Sequence, residues 1–456
     1  MKKQLLILGI VLASFAVSGM VWAGETEAQA SYGYQGTYDE AAADNECLVI
    51  FEGTEILDGV MKNCHQETAV QNSEDSVLII NNSFVKDSVL PIVTMDTAKC
   101  YIIGSTVEST SGGAVFAGLA VEPEEGTLPL STYFYGSKIN ALNTGSALYN
   151  ELFCDSYIYG SLVTGSQVGV ESETFGSITV GSLKDGEGQA EIAAVLSDLG
   201  VQNEEDAGSV IESGRNAIIL NSSNNPDFTE LDGMSEEALY AMSTQVSIRN
   251  AEVRTVKLSQ SGMRFQAADT PYTDHCKGSV VLIKSTNADI TIEDSLIESY
   301  KRGTGYIFQS VLGDDDEYIM SVADKEEAPG INISVASSEL AGGISHEDYQ
   351  RDMRVVLTDV SWTGSANEFT AEQWNAAAEE EGFEECIYDD SYETHHGLSI
   401  ALKGASSWTV TEPGTISCFT MEDGCTVEGA VSVNGEAVEL VPGEVYEGEI
   451  LVAPAE

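Results

Sequence analysis

Positive charge is what this chain has least of: 20 Lys and Arg stand against 74 Asp and Glu in 456 residues, a formal net charge of −54. A surface this acidic repels phosphates and anionic headgroups, because binding them needs a Lys/Arg footprint. Nucleic-acid partners are therefore not expected. Proline is scarce at 9 residues while glycine reaches 43, a balance that suits closely spaced strands and turns better than long linkers. No apolar run after the first 23 residues is long enough to cross a bilayer, so no integral membrane segment is expected beyond that point. The sequence also lacks a GxSxG elbow, a P-loop, a dinucleotide fingerprint, an HExxH pair and any CxxC spacing. Each of those motifs carries a specific chemistry, and none of that chemistry can be assigned here. Disorder is excluded in turn, because 43% of the residues are apolar and can build a large core.

What is present begins with an export signal. Lys2 and Lys3 precede an apolar stretch from Leu5 to Val17, and Val21-Trp22-Ala23 supplies small residues where a signal peptidase reads. Residues 1–23 are thus expected to be a cleaved signal peptide, with a second cut possible after Ala30 and a membrane anchor as the rival reading. No lipobox cysteine follows. The expected location is secreted or cell-surface. Eight cysteines, at 47, 64, 100, 154, 276, 386, 418 and 425, permit disulfides in such a compartment. Cys47–Cys64 and Cys418–Cys425 are the first pairs to test, while Cys100 and Cys154 occupy apolar strand-like positions that suit free buried thiols.

The productive signal is an internal repeat. A short template recurs: alternating apolar residues, then Gly, Asn or Asp, then Ser or Ala. It reads Ile80-Asn81-Asn82-Ser83, Ile103-Gly104-Ser105, Tyr135-Gly136-Ser137 and Tyr159-Gly160-Ser161. Further copies place the corner residue at Gly181, Asn221, Asn250, Asp294, Ser337, Asp359 and Gly404. Successive gaps are 22, 32, 24, 21, 40, 29, 44, 43, 22 and 45 residues, most of them close to 22 or twice 22. This pattern predicts an all-β, right-handed parallel β-helix: inward residues stack turn upon turn, and corners use residues that tolerate positive φ. An antiparallel sandwich or propeller is the alternative, but Asn434-Gly435 is the one clear hairpin signal. Residues 45–440 are assigned to the helix, 24–44 to an N-terminal segment or cap, and 441–456 to a tail or cap. Helical spacing over Gln189 to Leu199, a capped start at Ser235 running to Met242, and a capping box at Thr370-Ala371-Glu372-Gln373 continuing to Glu381 predict short helices that decorate the turns.

The C-terminal third carries a resemblance. Asp294-Ser295-Leu296-Ile297-Glu298-Ser299, Asp359-Val360-Ser361-Trp362-Thr363-Gly364, Ala405-Ser406-Ser407-Trp408-Thr409-Val410 and Val431-Ser432-Val433-Asn434-Gly435 resemble exported, adhesin-like β-helix proteins of bacteria. These are broadly similar to autotransporter passengers and pectin-lyase-like folds. The likeness spans residues 280 to 440 clearly and 75 to 185 loosely. It implies fold rather than chemistry: no agreed activity, and no catalytic residues, come with it. No translocator domain follows, which sets the expectation against self-secretion through an outer membrane.

Enzymes on such folds need paired carboxylates with a nearby His and basic residue. Asp389-Asp390 and His395-His396-Gly397 supply part of that set without the partner motifs. Asp314, Asp315, Asp316 and Glu317, just after Lys301-Arg302, form the densest acidic loop and are the candidate Ca²⁺ ligands. A solvated acidic loop is the plainer reading. His65, His275 and His346 show no ligand spacing. Tyr101, Tyr133, Tyr135, Tyr157 and Tyr159 flank the corners, either as an outward ladder for sugar rings or as core and rim. The expected function is a non-enzymatic surface or adhesin-like protein binding glycan or a host ligand. A polysaccharide lyase or hydrolase is the rival, and a structural spacer the third possibility. No cofactor is assigned apart from the Ca²⁺ candidate.

Overall fold

A computed structural model describes residues 32–64, 68–87, 89–118, 130–143, 145–151, 153–173, 176–184, 186–203, 207–221, 242–256, 279–284, 286–300, 305–311, 329–348, 351–369, 373 and 397–455. Its strands form three sheets of 11, 15 and 12 strands and, as far as Ser407–Val410, fall in strict rotation, each pairing with the one three positions later. Pairing is parallel from Leu48–Ile50 to Thr426–Glu428. The chain is a parallel β-helix. Strands Gly414–Met421, Ala430–Val433, Glu436–Ala437 and Val445–Ala453 then pair antiparallel and close the C-terminal end.

The turn from the second sheet to the third is the repeating element read from the sequence. Gly59, Asn82, Gly104, Gly136, Gly160, Asn250, Asp294, Ser337, Asp359 and Gly404 all occupy it, with φ between 43° and 67°. This is the left-handed region, which Gly enters freely and Asn or Asp more cheaply than other residues. At Gly404 a Cβ would also lie 2.3 Å from Oδ1 of Asp359 on the preceding turn. Two expected corners are displaced. Asn221 ends a strand of the first sheet, Asn216–Asn221, in register with Glu173 and Lys284. Its apolar-Asn-Ser pattern copies the template without making the bend. Gly181 (φ 152°) is the last residue of its strand, in register with Tyr159 and Arg249, one position before the corner.

The gaps near twice 22 also resolve differently. Asn250 to Asp294 is one turn, because Arg249 pairs directly with Glu293; the added residues lie in the connection 256–280. Similarly, Thr358 pairs with Lys403, and the connection 369–397 accounts for that long interval.

Behind six of these ten corners stands a buried serine, Ser83, Ser105, Ser137, Ser161, Ser295 and Ser338. The N–H groups of Ser83, Ser105, Ser137 and Ser161 donate to the hydroxyl oxygens of Ser105, Ser137, Ser161 and Ser209 on the next turn, at 3.0–3.3 Å. The hydroxyls donate in the opposite direction, Ser105 to the Ile80 carbonyl at 3.1 Å and Ser137 to that of Ile102 at 2.8 Å. Inside, apolar side chains stack in columns such as Ile80, Ile102, Phe134, Ile158 and Val180. Late in the third-sheet column, before Val427, stand Trp362 and Trp408, stacked at 4.4 Å, whose indole N–H groups donate to the Gly342 and Gly364 carbonyls. Alternation therefore decides the core, and the serines hold its register.

Residues 32–46 run down the outside of the third sheet. Tyr32 donates to the Gly208 carbonyl, Gly33 N–H to that of Gly136, and Tyr34 N–H to Thr106 Oγ1. Tyr34 and Tyr38 then pack on Phe84, and Cys47 is disulfide-bonded to Cys64. Cys418 and Cys425 are free thiols. Cys418 lies on the outer side of the second sheet opposite Glu447, whereas Cys425 turns toward the Gly404 carbonyl. Cys100 is a buried free thiol, and the buried Cys154 thiol donates to the Ala117 and Glu151 carbonyls. Helix Gln189–Leu199 forms where its spacing predicts, closed by Gly200 in the left-handed region. The helices expected over 235–242 and 370–381 fall almost wholly outside the described residues.

Ser137 gives a direct test of the serine ladder. Ser137→Ala leaves the Ser105 N–H and the Ile102 carbonyl without their buried partner, a loss of about 1–3 kcal/mol. Urea unfolding should show a lower midpoint at unchanged slope, while Ser334→Ala on an exposed position should stay within about 0.5 kcal/mol of the parent. Equal effects from the two substitutions would remove the ladder's role.

Candidate functional site

The tyrosine ladder on the second sheet is the first place to look, and it is already occupied. Tyr101, Tyr133 and Tyr157 stack at 4.6 and 4.8 Å on the outer face of that sheet. Leu183, Ile192 and Leu196 of the following excursion pack on them, leaving Tyr101 and Tyr133 only 5% and 4% exposed. The Tyr159 hydroxyl donates to the Glu187 carbonyl. Burial, with Glu191 of the helix nearby, pushes the Tyr133 phenol up to about 12. These rings hold a helix in place. They are not an open sugar platform.

Topology points to a different face. Six connections are long: 119–130, 182–208, 222–243, 256–280, 312–330 and 369–397. Five of them leave from or return to a strand of the first sheet; the sixth carries the helix. Insertions are the variable, function-bearing parts of a repeat scaffold. Four of these run between the first and second sheets, and the outer face of the first sheet is the side of that border not taken by the tyrosine ladder and its helix.

Two outward rows run along it. In the first, Phe116, Tyr149, Glu171, Ile219 and Leu282 are in register on five successive strands, a span of about 20 Å at the usual strand spacing. In the second, two residues further along each strand, Glu151, Glu173, Asn221 and Lys284 are in register. All except Leu282 are half-buried, neither core nor freely exposed. Phe116 and Tyr149 stack at 5.5 Å with rings 13° from parallel.

The polar groups of these rows are coupled. The Ser146 hydroxyl donates to Glu171 Oε2. Asn221 Nδ2 donates to Glu173 Oε1 at 3.5 Å. Burial pushes the Glu171 carboxyl up; the Ser146 hydrogen bond pulls it back, the charge of Glu173 raises it further and Lys284 opposes. The Tyr149 phenol is raised too, first by burial, then by its hydrogen bond to Glu173 and the charges of Glu173, Glu171 and Glu151. The face thus combines an aromatic pair, three carboxylates and one ammonium. It can stack on a ring and offer acceptors to hydroxyl or ammonium donors.

None of these residues stood out in the sequence, where three glutamates are lost among 74 acids. The available signal was alternation on two neighbouring strands, Tyr149-Asn150-Glu151 and Glu171-Ser172-Glu173, read together with their 22-residue offset. The acidic loop Asp314, Asp315, Asp316 and Glu317 lies outside the described residues, as do Asp389, Asp390, His65, His275, His395 and His396. Among the described residues no group of three or more His, Cys, Asp or Glu is arranged to hold a metal ion. His346 points into the core, where its Nδ1 is 2.6 Å from the Ser310 hydroxyl. Among the described residues no helix is long and apolar enough to cross a membrane. No protein-family model, curated protein or solved structure matches the chain.

The Glu171 environment has a pH signature. A carboxyl raised on folding binds protons more tightly in the native state, so its contribution favours folding at low pH. That contribution is lost as pH rises from the unfolded value toward the folded one. Glu171→Gln removes this dependence. Relative to the parent, the variant should gain stability between pH 4 and pH 8 in chemical unfolding, and a relative loss over that range would contradict the assignment.

Proposed function

We propose that this chain is an exported, non-enzymatic surface protein that binds a glycan along the outer face of the first sheet. The observation that carries the reading is the half-buried Phe116–Tyr149 stack continuing in register into Glu171, on the face bordered by the long connections. Flat aromatic faces take the apolar side of a sugar ring, and carboxylates accept its hydroxyl hydrogens. The positive n-region and apolar core of residues 2–17 support export. Acidity narrows the ligand. With Glu151, Glu171 and Glu173 against the single ammonium of Lys284 on these rows, and −54 overall, polyuronates are repelled. Neutral chains or sugars bearing a free amine are favoured.

A glycan array followed by titration calorimetry tests this. Neutral or amino-sugar chains should bind and polygalacturonate should not. Tyr149→Ala should weaken binding at least tenfold, on the order of the 1–2 kcal/mol a stacked aromatic supplies. Preference for polygalacturonate, or full affinity in Tyr149→Ala, would overturn the reading.

One observation favours a second reading, a glycoside hydrolase. Glu171, whose carboxyl burial raises, and Glu173 stand two positions apart on one strand, two carboxyl groups on one face of the kind glycoside cleavage uses. Turnover of a bound chain, abolished by Glu171→Gln with binding retained, would move the protein to that class.

A further inference from the structure

The two ends of the helix are finished differently. The C-terminal end is covered by antiparallel strands. At the N-terminal end, the first strand of the third sheet, Met61–Asn63, is bridged by Asp44, whose N–H donates to the Met61 carbonyl and whose own carbonyl accepts from Asn63. That bridge also neutralises a charge. Lys62 stands at the head of the inward column that continues as Val85; it is 3% exposed, and its Nζ lies 2.6 Å from Asp44 Oδ2.

Among the described residues the second sheet has no such cover. Among the described residues its first strand, Thr54–Asp58, pairs with Val77–Asn81 alone. Glu55 and Leu57 head the inward columns that continue as Leu78 and Ile80. Glu55 is exposed and has no ion pair among the described residues. Around it, Val49, Phe51 and Ile56 are 48%, 55% and 50% exposed, three large apolar side chains within eight residues. Glu46, Glu52, Glu55 and Asp58 line the segment, and no Lys or Arg occurs between Asn45 and Met61.

We infer that Thr54–Asp58 is a docking edge for an extended, positively charged strand of another protein. A free strand edge presents backbone donors and acceptors to any incoming strand. Here the side chains select. A second copy would bring the same four acids into apposition, which disfavours self-pairing. A strand with Lys or Arg facing Glu55 and an apolar residue facing Leu57 would extend both inward columns. It would repeat, with the charges exchanged, what Asp44 does for Lys62.

The test uses the full chain and a blocked peptide of sequence Thr-Thr-Lys-Ile-Val-Lys-Thr, whose first Lys and Val lie two positions apart on one face, as Glu55 and Leu57 do. The comparison peptide has the same sequence with its central amides N-methylated, so that charge is kept and pairing is lost. The first peptide should bind at least tenfold more tightly and slow amide hydrogen exchange at residues 53–58. Glu55→Lys should abolish this binding, and the milder Glu55→Gln should weaken it. Equal binding of the two peptides, or protection appearing elsewhere, would reduce the effect to adsorption on an acidic surface and overturn the inference. A concentration-dependent dimer with residues 53–58 protected would assign the edge to a second copy, and would overturn the choice of partner.

Discussion

A single bend sets the whole architecture. Each turn must reverse direction between the second and third sheets within two residues, which requires one residue at positive φ and a following group that satisfies the backbone the bend exposes. Gly, Asn or Asp supplies the first at nine of the ten bends and Ser337 at the tenth. At six of them the serine that follows supplies the second, as where Ser105 and Ser137 bond to turns on either side. Because each serine is both donor and acceptor, the turns are locked to one another at a fixed register. A slip of one residue would break every such bond and would turn each strand's apolar side chains outward. The stacked columns of Ile, Val, Leu and Phe then follow from alternation.

The interior is not uniformly apolar, and its polar positions obey the same register. In the first sheet, Asn72 and Thr94 are inward neighbours, with Thr94 Oγ1 2.9 Å from Asn72 Oδ1. Further on, the Ser156 hydroxyl donates to Asn150 Oδ1 at 3.0 Å. Near the C-terminal end Glu368 accepts from the Ser417 hydroxyl at 2.7 Å and the Leu398 N–H at 2.8 Å. Arg351 and Asp348, both nearly inaccessible, pair at 2.7 Å. Each group has a fixed partner. Buried polar groups are costly when unpaired, so they penalise misregistered turns more sharply than another isoleucine would.

The corner was legible in the sequence because it is local: Asn82, Gly104, Gly136 and Gly160 announce themselves within four residues. Asn221 shows the limit of that logic. Ile219-Leu220-Asn221-Ser222 has the same letters but sits in another sheet, and only strand pairing separates the two. Spacing misled in a similar way, since a turn with a long connection has the same length as two plain turns. The outward faces were harder still. Alternation marks Tyr133 and Tyr149 equally as outward, yet one is sealed beneath Leu196 and the other remains half-exposed. What decides this is which turn carries the helix, a property of tertiary packing that no local pattern encodes. Glu171 was hidden for a related reason: its shifted carboxyl comes from Ser146 and Glu173 on adjoining strand positions, not from any motif.

Three outward faces compete to be the functional one, and the chain itself narrows the choice. The N-terminal half of the second sheet is spent on Tyr101, Tyr133 and Tyr157 beneath the helix. The N-terminal half of the third is spent on the segment from Tyr32 to Asp44. Beyond these, the second sheet turns polar, with Gln245 bonded to Asp289 and Arg249 paired with Glu293 across turns, contacts that knit the surface to itself. On the first sheet, among the described residues, half-buried aromatics and carboxylates lie in register beside the long connections. Solenoids stabilise by nearest-neighbour contacts, so insertions at one border cost the stack little. Four of the six long connections fall between the first sheet and the second. With the second sheet's outer face covered by the helix and then knitted by its own polar pairs, the first-sheet side of that border is the one left for a ligand.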